Sequence, residues 1–183
     1  MSEGSEPASW LDNPQRYGRI SRGFHWFMAA LFAWQFMGAL LYVGIGDTAV
    51  TRFVGGSHFT LGFTLFVLVL LRGAWGLMNL GRRPPHPGRV GRAAVAGHSL
   101  IYALMVIVPG ISLLRQYGSG KGFSPYGLPV MAARDDKIAW MMVPGDLFHH
   151  WLGFILMAIV AGHITMSILH RVLWKENVLS RMT

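Results

Sequence analysis

The chain has 183 residues, enough for one domain, and is 52 % apolar but only 13 % charged, against roughly 25 % charged residues in an ordinary soluble domain. The net charge of +8 does not require nucleic acid as a partner, because the cations flank apolar runs in the way membrane topology demands. The absence of cysteine excludes disulfides, thiolate-held iron–sulfur clusters and covalent c-type haem attachment.

In chain order, residues 1–19 hold Gly, Ser, Pro and charges and read as a flexible or surface-lying tail. Residues 23–46, 53–71, 93–114 and 147–170 then contain no Asp, Glu, Lys or Arg. About 20 mostly apolar helical residues cross the hydrocarbon core, and a soluble helix of that length needs a polar face. The pattern predicts an all-α fold: four transmembrane helices at roughly 20–43, 54–79, 94–115 and 147–173. These form one bundle domain over residues 20–175, followed by a short tail at 176–183. The first run follows Asp12, Pro14 and several arginines and lacks a short apolar region with a cleavage site, so it reads as a span and not as a signal peptide. Residues 81–89, with Pro84, Pro85 and Pro87, form a turn-rich linker. Residues 116–145 form the longest loop, rich in Gly and Pro and carrying Tyr117, Phe123, Tyr126 and Trp140. Its length predicts a function, either as one wall of a quinone site or as a docking surface.

Arg16, Arg19 and Arg22 precede the first run. Arg82, Arg83, Arg89 and Arg92 lie between the second and third, and Arg171, Lys175 and Arg181 follow the fourth. The positive-inside rule therefore puts both termini and the Arg-rich linker in the cytoplasm.

Eight histidines are the informative residues. Ionisable side chains within a bilayer are costly and face a partner in the bundle interior. His149 and His163 are 14 residues apart, which returns them to within about 40° of one helical face, some 21 Å apart along the axis. One helix thus offers an imidazole near each leaflet, a geometry for two stacked cofactors and a poor one for a single ion. Chain direction matches His25 with His163 near the cytoplasm, and His58 with His149 near the outer surface. An iron held by two imidazoles has no open position and favours electron transfer. Arg72, 14 residues after His58, shares its face and reaches the cytoplasmic level, where a haem propionate would balance its charge. Snorkelling to headgroups is the other reading of Arg72. Arg115 and Lys121 are weaker partners for the outer cofactor. His98 competes as an inner ligand, or contacts a propionate or quinone. His150 lies about 100° off the stripe and replaces His149 only if the helix begins differently. His170 belongs at the headgroup boundary, and His86 lies in the linker.

Five segments carry a family likeness: Arg22-Gly23-Phe24-His25-Trp26, Gly55-Gly56-Ser57-His58, Leu71-Arg72-Gly73, Ala96-Gly97-His98-Ser99-Leu100-Ile101-Tyr102, and His149 with Ala161-Gly162-His163 and Leu173-Trp174-Lys175-Glu176-Asn177. Together and in this order they resemble the bacterial cytochrome b561 family, from about Arg16 to Met182. The resemblance implies a four-helix bundle of the bacterial inner membrane with two non-covalent haem b groups, ligated at His25, His58, His149 and His163. It also implies electron exchange with a membrane quinone or quinol, and in some members with superoxide or a periplasmic electron-transfer protein. Related subunits anchor larger dehydrogenases or hydrogenases, which is the alternative function. A metal transporter is the third reading, and it lacks the intramembrane carboxylates such a protein uses. A homodimer is the default assembly expected of the chain.

Overall fold

A computed structural model describes residues 9–84, 88–175 and 178–182. It contains five α-helices: α1 (Arg19–Ile45), α2 (Ala49–Gly56), α3 (His58–Met78), α4 (Gly88–Gly118) and α5 (Ala139–Val172). Among the described residues the only β pairing is one bridge between Phe123 and Met131. Helices α2 and α3 make one span, so four spans of 27, 30, 31 and 34 residues result, and the all-α transmembrane bundle expected from the sequence is the fold found.

The helices are longer than the apolar runs. At 1.5 Å per residue they extend about 40–51 Å, against a hydrocarbon core of roughly 30 Å. Helix α4 starts at Gly88 and not near 94, and α5 at Ala139 and not near 147. Hydropathy marks where the oil begins, whereas backbone hydrogen bonding continues through the headgroup layer. Trp140 and Pro144 are therefore helical, and the longest loop shrinks to residues 119–138. The linker after α3 carries a 3₁₀ turn at Leu80–Arg82; Pro85, His86 and Pro87 fall outside the described residues.

The expected second helix is divided. Gly46 ends α1 at φ 67°, a left-handed conformation that glycine adopts without a Cβ clash. Thr48 and Thr51 then form a reciprocal capping box that starts α2. The chain breaks again at Ser57. Its Oγ donates to the Val54 carbonyl at 2.8 Å and accepts from Trp34 Nε1 at 2.9 Å. Gln35 Nε2 donates to the His58 carbonyl at 2.9 Å. Two polar residues of α1 thus fix the point at which α3, and His58 with it, begins.

Helix α3 packs between α1 and α4, and α4 lies along α5. Met28, Leu65, Val69, Leu104, Met105, Val108 and Leu156 form the core where the four spans meet. Most other large apolar side chains face outward, Phe53 and Leu71 among them, as lipid contact requires.

Each end of the bundle is covered. At the α2–α3 end, the loop after α4 inserts Phe123 against Phe59 and Phe63, with ring centres 4.5 and 5.5 Å apart. Tyr126 hydrogen-bonds Thr64 at 2.8 Å. At the other end, residues 9–18, part of the segment expected as a tail, pack against the helices. Asp12 is buried, accepting from the Gly18 N–H at 2.9 Å and pairing with Arg83 at 3.2 Å. Tyr17 N–H donates to the Arg181 carbonyl, and Trp26 Nε1 to the Met182 carbonyl. Residues 9–18 and 181–182 therefore close the same face.

Candidate functional site

The break at Ser57 puts His58 on the first turn of α3, facing α5. His149 comes from the third turn of α5, and the two ring centres are 6.1 Å apart. A metal bound by two imidazole nitrogens at roughly 2 Å each separates the ring centres by about 6 Å. The gap therefore fits one iron. His149 Nδ1 donates to the Val108 carbonyl at 3.0 Å, which fixes the tautomer and leaves Nε2 free to ligate. Pro109, next in α4, has no N–H for the Met105 carbonyl, so the helix backbone is already modified where His149 meets it. A cavity of about 450 Å³ lies between these histidines. Its walls include Phe32, Phe36, Phe63, Leu65 and Met157, with Gln35 as a polar point. An apolar slot with two opposed imidazoles is the chemistry a flat, neutral-cored macrocycle needs. His150 lines the same cavity but turns its ring toward Trp151 and Phe154.

The other level is built differently. Arg72 of α3 donates to His25 Nδ1 of α1 at 3.4 Å and lies over the Tyr102 ring, 5.6 Å from its centre. Arg72 is half-buried, between His25 and the Tyr102 ring. His163 of α5 faces His98 of α4, with ring centres 5.0 Å apart, about 1 Å too close for an iron between them. His98 Nδ1 donates to the Ala94 carbonyl at 2.6 Å. His25 and His163 make no direct ring contact among the described residues. If His25 were to ligate a metal through Nε2, its Nδ1 would carry the proton and Arg72 would have to turn to another acceptor.

Among the described residues no three His, Cys, Asp or Glu side chains converge on one point, so paired imidazoles are the available ligand sets. Arg115, a weaker candidate from the sequence, pairs with Asp146 across α4 and α5. Lys121 lies in the covering loop, and His170 packs on Trp174 at 4.8 Å near the end of α5. Sequence reasoning missed Trp34, Gln35 and Ser57 as positioning residues. A glutamine in the middle of a charge-free apolar run was the available signal, since its amide needs a partner there.

A family model described as prokaryotic cytochrome b561 matches residues 16–183. Cytochrome b561 homolog 2 of Escherichia coli (strain K12) is 27 % identical over 95 % of this chain and 94 % of its own length. A probable superoxide oxidase, CybB, of Yersinia pestis is 25 % identical over 92 % of this chain and 96 % of its own. With four spans, paired imidazoles and a match along nearly its whole length, the chain belongs to the prokaryotic cytochrome b561 family, haem b electron-transfer proteins of the bacterial inner membrane.

Proposed function

We propose that this protein carries two haem b groups, one between His58 and His149 and one between His25 and His163, and moves electrons between a membrane quinone or quinol and a second redox partner. The observation that carries the reading is the 6.1 Å separation of the His58 and His149 rings across an apolar cavity. Haem would supply a one-electron ferric–ferrous couple, and the two histidines of each pair would hold it.

The chain's own residues divide the remaining tasks. Val108 holds the tautomer of His149, and Gln35 with Ser57 sets where His58 stands. Arg72 would hold a propionate at the second level. His98 lies too close to His163 to share an iron with it, which favours His25 as the partner. The arginines around residues 16–22, 82–92 and 171–181 support cytoplasmic termini, which puts His58 and His149 near the periplasmic side. The name of the Yersinia pestis relative supports superoxide as the second partner; a periplasmic protein is the other.

The test is a pyridine haemochrome assay with reduced-minus-oxidised spectra on detergent-purified protein. Two low-spin haem b groups per chain are expected, both reduced by ubiquinol or oxidised by ubiquinone. One high-spin haem, or none, refutes the two-pair reading.

A further inference from the structure

We infer that the start of α1 and the C-terminal turn form a binding site for an anionic phospholipid, independent of the haem reading. A cavity of about 390 Å³ is lined by Arg19, Arg22, Gly23, Trp26 and Met182. Arg19 and Arg22 are three residues apart and so lie on one face of α1. Arg16 and Arg19 both act electrostatically on Arg22, and the first turn of α1 contains no acidic residue. Arg19 and Arg22 thus bring two guanidinium groups to one cavity, and guanidinium groups bind phosphate through paired N–H donors.

The second observation concerns what lies beside the cluster. Gly23 has nothing within 4 Å of the place a Cβ would occupy, so the cavity floor is open. Beyond it, Trp26, Ala30, Ala33, Met37 and Leu40 are all exposed along the same face of α1. Their spacing of three and four residues makes one continuous apolar track into the membrane. Trp26 stands where the cationic part meets this track, tied by its Nε1 to the Met182 carbonyl at 2.8 Å, as an interfacial indole should be. A phosphate beside guanidiniums, followed by an apolar track with small residues, matches a phospholipid; a soluble anion has no use for the track.

The test uses the full-length protein in detergent and native mass spectrometry with phosphatidylglycerol, phosphatidylcholine or inorganic phosphate added. Phosphatidylglycerol should bind more tightly than phosphatidylcholine. The double variant Arg19→Gln/Arg22→Gln should bind phosphatidylglycerol roughly 30-fold more weakly, the loss expected for two cations near an anionic surface. Gly23→Leu, which fills the cavity and leaves every charge, should weaken it as well, with helical circular dichroism and haem content unchanged. Equal binding of the two lipids, or undiminished binding by both variants, overturns the proposal. Displacement of phosphatidylglycerol by inorganic phosphate at equal concentration also overturns it and assigns the cluster to a soluble anion.

Discussion

The two ends of the bundle hold their histidines by different means. At the Ser57 end the backbone does it: a helix break fixes His58, and a main-chain carbonyl orients His149. Both imidazoles are already about one iron apart. At the Arg72 end, side chains do it. Three imidazoles, a guanidinium and a phenol crowd one level, and Arg72 occupies the nitrogen of His25 that must carry a proton for ligation. On the proposed reading, the first site would be set before its cofactor arrives, and the second would have to be rearranged. Pre-organisation lowers the cost of binding, so the two levels should differ in affinity as well as in potential.

The largest expected effect comes from removing ligands. His58→Ala or His149→Ala should each reduce the haem content from two per chain to one, read by pyridine haemochrome. His163→Ala should do the same at the other level. There, His25→Ala and His98→Ala separate the two candidates. Loss of one haem in His25→Ala and retention of both in His98→Ala is the expected result; the reverse would make His98 the ligand and remove Arg72 from its assigned place.

Next in size is the order of filling. Apoprotein titrated with haem should load the Ser57 end first, with at least about a tenfold preference, since the Arg72–His25 hydrogen bond must break before the second site closes. Comparing the spectrum of the first equivalent with those of His149→Ala and His163→Ala assigns it. Equal filling would mean that the hydrogen bond seen here costs nothing to open.

Arg72→Gln tests the charge directly. A cation 8–16 Å from an iron contributes roughly 1–2 kcal/mol at an effective dielectric constant near 20. It stabilises the reduced state, which carries one positive charge fewer. The variant should lower one midpoint potential by roughly 45–90 mV and leave the other in place, as measured by redox titration.

Much of this was legible in the sequence, and what was not has a common cause. Charge-free runs located all four spans because the bilayer permits little else. The depth of His58 and His149 followed from chain direction alone. The break at Ser57 did not, because a Gly-Gly-Ser stretch reads equally well as close helix packing. Nor did the extension of α5 back to Ala139, where Asp146 and Pro144 suggested loop, although Asp146 is paired with Arg115 and Pro144 is in the second turn. The packing of His98 against His163 depends on how α4 and α5 rotate about their axes, which spacing within one helix does not determine.

Covering the Arg72 end is the segment that carries Asp12, and its removal should be smaller in effect. Breaking a buried ion pair costs about 3–5 kcal/mol when both partners are enclosed. The Arg83 side chain is 25 % exposed while that of Asp12 is 0 % exposed, so Asp12→Ala should cost roughly 1–3 kcal/mol. The measurement is thermal unfolding, with the spectrum of the Ser57-end haem unchanged. A variant that disturbed that haem as much as the other would show that the two ends are not independent.

Tyr17, in the same segment and ahead of α1, gives the finest test. Burial raises its phenol above the ordinary tyrosine range, with Arg83 pulling in the opposite direction. A folded-state value above the unfolded one means that the folded chain holds the proton more tightly. The stabilisation is complete below the unfolded value near 10 and is lost as pH rises through the folded one. Protein stability should therefore decline on the alkaline side, because the folded chain must bury a phenolate whose desolvation Arg83 and Arg181 offset only in part. In Tyr17→Phe that decline should be shallower, while unfolding at neutral pH changes little because the ring still packs. The comparison is chemical denaturation at pH 8 and at pH values spanning 9.5–11. Identical alkaline profiles for the two proteins would mean that the phenol stays in water in the folded protein.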